Sequence, residues 1–338
     1  MNKQALEAIA NAMVADGKGI LAADESTGTI KKRFDSINVE STEDNRRDYR
    51  EMLFRTQDAM RDYISGVILF DETIRQKAAD GTPLTQIISD AGSLPGIKVD
   101  GGAKDLAGHP GEMVTEGLDG LRDRLNEYHG LGAKFAKWRA VINIADGLPS
   151  AACLSANTHA LARYAALCQE AEIVPIVEPE VIMDGGHSVE RCFEVTSAAL
   201  SGLYAQLAEQ GVHLEGTILK PNMVVSGTQN ATQAGVQQVA EMTIDCFKKN
   251  VPEAVPGIVF LSGGQSDEGA TAHLDAMNKI GNLPWKLSFS YGRALQAAPL
   301  KAWGGDAANV EAAQAAFAHR AKMNGLAALG QWDAALEG

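Results

Sequence analysis

Short apolar segments recur along the chain at roughly even spacing. Each is four to six residues long, is rich in Ile, Val, Leu or Phe, and is bounded by glycine or polar residues. Segments of this kind are typical of buried β-strands. There are eight of them: Gly19–Asp24, Gly66–Phe70, Gly96–Asp100, Phe135–Arg139, Ile173–Glu178, Thr217–Lys220, Gly257–Ser262 and Trp285–Ser290.

Longer stretches with helical spacing separate these strands, the clearest being Ser150–Ala171, Val189–Glu209 and Ala231–Lys249. The alternation predicts parallel βαβ units, and eight such strands predict a closed (β/α)8 (TIM) barrel. An open, doubly wound sheet is the alternative, but no GxGxxG segment follows the first strand. Additional helices are expected at 1–15 and at about 306–325. Because no linker divides the chain, we expect one domain over 1–338, with a C-terminal helical extension at about 306–338.

Charge and composition restrict the possible partners of the protein. The chain has 338 residues and a formal net charge of −13 at pH 7, and a surface of that sign repels nucleic acid and anionic membranes. No apolar run approaches the ~20 residues that span a membrane. The segment Met1–Glu7 lacks the apolar core of a signal peptide. We therefore expect a soluble cytoplasmic protein that binds neither nucleic acid nor membranes.

Cysteine and histidine spacing gives no sign of a metal site. The seven histidines show no HxxxH or HExxH pattern, and the four cysteines include no close pair. We therefore expect no metal and no cofactor, and we expect the thiols to be buried small hydrophobic groups. The cysteines are Cys153, Cys168, Cys192 and Cys246.

Seven of the eight predicted strand ends carry a reactive or anion-binding group, whereas the strand interiors are apolar. The active site of such a barrel lies at the carboxyl ends of its strands. Each group alone also fits a simpler interpretation, such as a surface lysine, a charged turn or a helix cap; the joint pattern favours an active site. The groups are Asp24, Lys98, Lys137, Arg139, Glu178, Glu180, Lys220, Ser262, Gly263, Gly264, Tyr291, Gly292 and Arg293.

Lys220 is the strongest candidate nucleophile because it ends an apolar run and precedes a proline. A free lysine has a pKa of about 10.4, so the neutral amine is rare at pH 7. Burial and a nearby cation, here Lys137 or Arg139, favour the neutral amine, which can attack a ketone and form an imine. Glu178 could move the protons that dehydration requires. Asp24 could accept a proton from a substrate hydroxyl.

Two groups of residues are suited to anions. The first combines backbone amides of glycine-rich turns with a guanidinium, in the loops after strands seven and eight, where this fold commonly binds phosphate. It consists of Gly263, Gly264, Gly292 and Arg293. The second follows the first strand and consists of Ser26, Thr29 and Arg33.

Several segments are distinctive beyond their chemistry: Gly19–Gly28, Asn45–Arg47, Gly96–Asp100, Phe135–Arg139, Ile173–Glu180, Leu214–Met223, Phe260–Ser266 and Phe289–Gln296. With these segments the chain resembles the class I fructose-1,6-bisphosphate aldolases over nearly its whole length. The resemblance implies a metal-independent lyase of glycolysis and gluconeogenesis. Such an enzyme reversibly cleaves fructose 1,6-bisphosphate to dihydroxyacetone phosphate and glyceraldehyde 3-phosphate. The resemblance also implies a homotetramer.

The resemblance assigns roles to individual residues. Lys220 would form the imine, Glu178 would handle protons during dehydration, and Lys137 would assist at the imine. Asp24 would accept the C4 hydroxyl proton as the C3–C4 bond breaks, and Glu180 completes the catalytic set. The substrate and 6-phosphate contacts would be Ser26, Arg33, Arg46, Lys98 and Arg139. The 1-phosphate contacts would be Ser262, Gly263, Ser290, Gly292 and Arg293.

One departure from the family pattern concerns the C-terminus. Typical members end in a tyrosine that helps to protonate the carbanion, whereas the last tyrosine here is Tyr291. We therefore expect slower proton exchange on dihydroxyacetone phosphate than in relatives with that tail.

Three alternative functions remain open. A transaldolase-like transferase is disfavoured by the two phosphate sites, and a metal-dependent aldolase is disfavoured by the histidine pattern. A sugar-phosphate-binding or scaffolding protein would not need Asp24, Glu178 and Lys220 together.

Overall fold

The computed structural model describes all residues 1–338, and it has a closed barrel at its centre. Eight parallel strands form the barrel in the order β1-β10-β9-β8-β7-β6-β3-β2, and a separate antiparallel hairpin joins β4 to β5. Because β1 pairs with both β2 and β10, the predicted closed barrel is confirmed and the open sheet is excluded. The strands are β1 Gly19–Ala23, β2 Ile64–Leu69, β3 Leu94–Lys98, β4 Ala103–Asp105, β5 Met113–Thr115, β6 Phe135–Ile142, β7 Val174–Val181, β8 Ile218–Leu219, β9 Gly257–Phe260 and β10 Lys286–Tyr291.

Thirteen α-helices accompany the strands. None of them combines the length and the apolar character that crossing a bilayer requires. They are α1 Lys3–Met13, α2 Thr27–Asp35, α3 Glu43–Phe54, α4 Gln57–Tyr63, α5 Asp71–Arg75, α6 Leu84–Asp90, α7 Leu121–Gly130, α8 Ala151–Glu170, α9 Val189–Glu209, α10 Val236–Asn250, α11 Asp267–Ile280, α12 Arg293–Trp303 and α13 Val310–Ala328.

The predicted helices are present, with one notable shift in a boundary. Helices α8 and α9 have the predicted extent to within one residue. Helix α10 begins at Val236, five residues after the predicted start, because the preceding segment forms a turn. In that turn the Gln233 amide donates hydrogen bonds to the carbonyls of Gly227 and Asn230. Helices α1 and α13 are the extra helices expected at the two ends of the chain.

Helix α1 covers the amino-terminal end of the barrel. Its Leu6 and Met13 belong to a buried apolar cluster with the inward-facing Phe135 and Ile218. The Phe135 ring fits inside the barrel because the neighbouring position on β3 is a glycine. A Cβ atom on Gly96 would lie only 2.3 Å from the Phe135 ring. This end of the barrel is therefore a packed core.

The inward-facing positions change from apolar to charged toward the carboxyl ends of the strands. Side chains two residues apart on a strand share a face, so Phe135 on β6 is followed by Lys137, and Ile218 on β8 by Lys220. On β7 both Glu178 and the following inward position, Glu180, are buried. The barrel thus brings charged side chains together directly above its apolar layer.

The β4–β5 hairpin was not predicted from the sequence because its strands are short and β4 is largely exposed. It is fixed to the barrel and to α8 by Thr115, whose hydroxyl donates to the carbonyl of Arg139 (2.7 Å) and whose N–H donates to the Asn157 side chain (3.2 Å). The hairpin begins beside the mouth of the barrel, so Gly102 and Ala103 line the cavity there.

Candidate active site

A cavity of ≈ 340 Å³ lies at the carboxyl ends of the barrel strands. It is strongly polar, with four hydrophobic residues among the 21 that line it. Most of the residues that the sequence predicted for the site meet here. They are Asp24, Ser26, Arg33, Lys98, Lys137, Arg139, Glu178, Glu180, Lys220, Ser262, Gly263, Ser290 and Gly292, together with Thr29.

Lys220 lies at the base of this cavity and is only 4% exposed. It follows β8 directly, and its N–H donates to the carbonyl of Val177 at 2.9 Å, so the backbone still belongs to the barrel. Nearby, the Asn222 side chain accepts a hydrogen bond from the N–H of Val181 at 3.0 Å. The Lys220 Nζ atom lies 3.4 Å from Oε1 of Glu178. A buried amine is thereby held next to a buried carboxyl group.

Lys137 is the central cation of the site. Its Nζ lies 2.8 Å from Oδ2 of Asp24 and 3.4 Å from Oε2 of Glu178. Burial alone would lower the pKa of Lys137, but the carboxylates of Asp24, Glu178 and Asp100 raise that pKa above its ordinary value. Lys137 is therefore a permanent ammonium at neutral pH.

Asp24 is held ionised by the same cluster. Burial would raise the pKa of Asp24, but the charges of Lys137, Lys220 and Lys98 outweigh burial and lower the pKa to about 2. The dominant partner is Lys137, which also forms a hydrogen bond with the carboxylate. Asp24 thus presents a charged oxygen to the cavity and is available as a proton acceptor.

Two buried oxygens in the cavity wall make no hydrogen bond within the protein. They are Oε2 of Glu178 and Oγ of Ser290, and both residues are at most 3% exposed. Oε2 of Glu178 has Lys137 nearby at 3.4 Å, which is longer than a charge-assisted hydrogen bond. Buried polar atoms are normally paired, so these two atoms are suited to contact a polar ligand.

Arg139 and Glu180 form an ion pair across neighbouring strands. Burial would lower the pKa of Arg139, but Glu180 and further carboxylates raise it. On the adjacent strand Lys98 pairs with Asp100 at 3.0 Å. Asp100 also accepts hydrogen bonds from the N–H groups of Gly102 and Arg139, at 3.1 and 3.3 Å. Carboxylates therefore orient the cations of this wall.

Only part of the glycine-rich turn after β9 lines the cavity. Ser262 and Gly263 line it, and Gly263 has φ +55°, in the left-handed region. The N–H of Gly264 instead donates to Sδ of Met183 at 2.9 Å. Arg293 donates to the carbonyl of Gly263 at 2.6 Å. Gly264 and Arg293 consequently lie just outside the cavity lining.

Arg46 also lies outside the lining. Its Nε donates to Oε2 of Glu72 at 2.8 Å, its Nη2 pairs with the other carboxylate oxygen, and its Nη1 donates to the carbonyl of Ser41. The residue is 8% exposed. These bonds hold the guanidinium between α3 and α5, away from the group of charges around Lys220.

The sequence prediction missed two carboxylates of the site, Glu25 and Asp100. A signal for Asp100 was present, because it stands two residues after Lys98 and so faces the same way. Glu25 follows Asp24 directly and gave no separate signal. No cluster of three or more histidine, cysteine, aspartate or glutamate side chains has the arrangement of a metal site. The four cysteines are free and buried, as predicted.

Comparisons with known proteins agree with this geometry. The family model described as class I fructose-bisphosphate aldolase matches residues 5–338. The "Probable fructose-bisphosphate aldolase class 1" of Xanthomonas campestris pv. campestris is 62% identical over 333 residues, covering 98% of this chain and 99% of the relative. "Fructose-bisphosphate aldolase 4, cytosolic" of Arabidopsis thaliana is 54% identical over 327 residues, covering 96% of this chain and 83% of the relative.

A solved structure shows the same fold. The fructose-bisphosphate aldolase of Plasmodium falciparum, crystallised with TRAP and a small-molecule inhibitor, superposes with a TM-score of 0.95 at 46% identity. The match covers 98% of this chain and 95% of that one. A barrel with a buried lysine beside a glutamate and a family match over nearly the full length lead to the same conclusion. The chain belongs to the class I fructose-bisphosphate aldolase family.

Proposed function

We propose that the protein cleaves fructose 1,6-bisphosphate reversibly to dihydroxyacetone phosphate and glyceraldehyde 3-phosphate through an imine on Lys220. One observation carries the proposal: the buried Nζ of Lys220 lies 3.4 Å from Oε1 of Glu178, inside a cavity lined by further cations. An amine that attacks a ketone needs a neighbouring group to move protons. The family assignment supports the choice of substrate.

In the first step the neutral amine of Lys220 adds to the substrate ketone and gives a carbinolamine. Glu178 donates a proton to the departing hydroxyl, so water leaves and a positively charged imine forms. The position of Glu178 between Lys220 and Lys137, with 3.4 Å to each Nζ, supports this role. Lys137 remains an ammonium and would stabilise negative charge on the oxygen of the carbinolamine.

In the second step Asp24 accepts the proton of the C4 hydroxyl. The C4–O electrons form the aldehyde carbonyl, the C3–C4 bond breaks, and its electrons move into the imine, which becomes an enamine. Protonation at C3 and hydrolysis then release dihydroxyacetone phosphate and regenerate the amine. The ionised state of Asp24 supports its role as the acceptor, because its pKa is lowered to about 2. Glu180 would act indirectly, by holding Arg139.

Phosphate groups at the two ends of the substrate would occupy opposite sides of the cavity. For one of them we propose Ser262, Gly263, Ser290 and Gly292, since the Ser290 hydroxyl makes no hydrogen bond within the protein. For the other we propose Ser26, Lys98 and Arg139. Gly264, Arg293 and Arg46 lie outside the cavity lining, so direct contacts from them would require movement of their side chains or loops.

The experiment that tests the imine is reductive trapping. Sodium borohydride added in the presence of dihydroxyacetone phosphate should add the mass of the reduced ketose adduct at Lys220 and abolish cleavage. Borohydride without the ketone is the control, and Lys220→Met should form no adduct. Retention of cleavage with no adduct at Lys220 would refute the proposal. Full activity in EDTA is expected, because no step requires a metal.

We further propose that the whole chain forms one domain, with α13 as a C-terminal extension of the barrel, and that four copies assemble in the cytoplasm. The match of the family model over residues 5–338 supports the first point. The tetramer rests on the family resemblance alone. The Arabidopsis thaliana relative named as cytosolic supports the location. Sedimentation analysis of the purified protein would test the tetramer.

A further inference from the structure

Glu25 lies beside the proposed catalytic site but has no role in the reaction described above. It follows Asp24 at the end of β1, and it is 7% exposed although its carboxylate borders the cavity. A buried carboxylate is costly unless it is paired. Its partners therefore indicate what it does.

The carboxylate of Glu25 holds one end of a guanidinium that reaches the cavity. Nη1 of Arg33 donates to Oε1 of Glu25 at 2.5 Å. Nη2 of the same guanidinium lies 3.6 Å from the position that a Cβ would take on Gly292. Arg33 is thus fixed at one nitrogen by Glu25, while the opposite side of its planar fork faces the glycine of the β10 turn.

Two buried side chains, Gln296 and Arg50, also contact Glu25. Nε2 of Gln296, which is 1% exposed, donates to Oε1 of Glu25 and to the carbonyl of Ala22, both at 2.7 Å. Arg50, also 1% exposed, donates to the backbone carbonyl of Glu25 at 3.0 Å and places Nη2 3.7 Å from Oε2. These contacts, together with Arg33, pair the buried carboxylate of Glu25 within the protein.

The charges of this group leave it attractive to anions. Glu25 carries one negative charge, and Arg33 and Arg50 carry one positive charge each. Glu72 lies 3.6 Å from Arg50 and also pairs with Arg46, so the group keeps one net positive charge when both are counted. A guanidinium held in its bound orientation loses less conformational entropy when a phosphate binds than a free one. Orienting Arg33 therefore favours the binding of a phosphate and opposes the repulsion between the Glu25 carboxylate and an anion.

We propose that Glu25, held by Gln296, is a positioning residue that orients Arg33 to bind a phosphate group of the substrate. The inference rests on the proposed function for the identity of the substrate. It does not depend on that function for the binding of phosphate itself, so inorganic phosphate can serve as an independent probe.

The test compares Glu25→Gln with the wild-type enzyme in steady-state cleavage of fructose 1,6-bisphosphate and in calorimetric titration with inorganic phosphate. We expect KM and the Kd for phosphate to rise about tenfold, the cost of ordering one long side chain, with kcat changed less than twofold. Asp35→Asn is the matched control: it removes one carboxylate from an exposed pair with Lys31 on α2 and should change neither constant.

A double-mutant cycle separates positioning from general loss of structure. Because Glu25 acts through Arg33, adding Glu25→Gln to Arg33→Ala should raise KM no further. Gln296→Met leaves the charges of Glu25 and Arg33 in place and should also raise KM. It gives a second test if Glu25→Gln does not fold. Unchanged phosphate affinity in Glu25→Gln, or independent losses in the cycle, would overturn the inference. Failure of borohydride trapping at Lys220 would instead overturn the proposed function alone.

Discussion

The Nζ atom of Lys220 lies 3.4 Å from Oε1 of Glu178, whereas a charge-assisted hydrogen bond between nitrogen and carboxylate is about 2.7–2.9 Å long. The nearby pair of Lys137 and Asp24, at 2.8 Å, has that shorter distance. The two lysines are therefore held differently. Lys137 forms a short ion pair with Asp24, whereas Lys220 has a longer ion pair with Glu178 and no contact of hydrogen-bond length to that carboxylate.

We predict that Glu178→Gln slows imine formation on Lys220. The amide cannot donate or accept the proton that dehydration requires, so cleavage should fall by about 10²–10⁴-fold. The rate of borohydride trapping with dihydroxyacetone phosphate should fall with it. Glu180→Gln is the comparison, because Glu180 pairs with Arg139 and not with Lys220. A trapping rate equal to that of the wild type would assign the dehydration to another group.

We predict that Asp24→Asn separates imine formation from carbon–carbon cleavage. Asparagine has nearly the same shape but cannot take the C4 hydroxyl proton, so turnover of fructose 1,6-bisphosphate should fall by about 10²–10⁴-fold. Dihydroxyacetone phosphate lacks the C3–C4 bond that the enzyme cleaves, so its borohydride-reduced adduct at Lys220 should still form. Mass spectrometry of the trapped protein and single-turnover cleavage measure the two steps. If both steps were lost together, Asp24 would have to act before cleavage.

The positions of these side chains in the barrel could be predicted from the sequence where one strand carries both the apolar and the charged inward positions. Phe135 and Lys137 are two residues apart, and the periodicity of a strand puts both inside the barrel. Arg46 had no such constraint. It lies on a helix, and its partner Glu72 is 26 residues away, so only the folded chain shows that a carboxylate holds it away from the cavity. Met183 and Gly264 likewise meet across 81 residues.

The limits of the strand prediction have a similar cause. The buried strands were recognisable because both faces are covered and their sequences are therefore short, mostly apolar runs. The β4–β5 hairpin has no such run, since Lys104 and Asp105 are exposed, and its position depends on bonds from Thr115 to distant residues. A local sequence pattern does not reveal hydrogen bonds between residues that are distant in the sequence.

We predict that Gly96→Ala destabilises the barrel. The added methyl group would lie 2.3 Å from the Phe135 ring, and both groups are confined, so the cost should be about 1–3 kcal/mol. Gly130→Ala is the matched control: it adds a methyl at the end of α7 with no atom within 4 Å, and in a helix it should be neutral or slightly stabilising. Urea unfolding of both variants measures the difference. Equal midpoints would show that the interior of the barrel has room for the methyl group.

We predict a loss of stability between about pH 6.5 and pH 4 that depends on His273. Burial lowers the pKa of His273 from 6.5 to about 4. Because the folded-state pKa lies below that of the unfolded chain, this stability is complete above about pH 6.5 and is lost as the pH falls toward about 4. Thermal unfolding across this range should show the loss in the wild type and a smaller loss in His273→Asn. His129→Asn, at an exposed helical position, should retain the wild-type profile.

The packing of α1 against Phe135 and Ile218 has a consequence for the traffic of small molecules. Because side chains fill that end of the barrel, the substrate, both products and the water released in the condensation must use the cavity at the carboxyl ends of the strands. In the mechanism proposed above, the aldehyde forms while the ketone half is still bound covalently to Lys220, so we expect the aldehyde to leave first. In the synthetic direction the same mechanism requires the ketone to form its imine before the aldehyde reacts, so we expect the ketone to bind first.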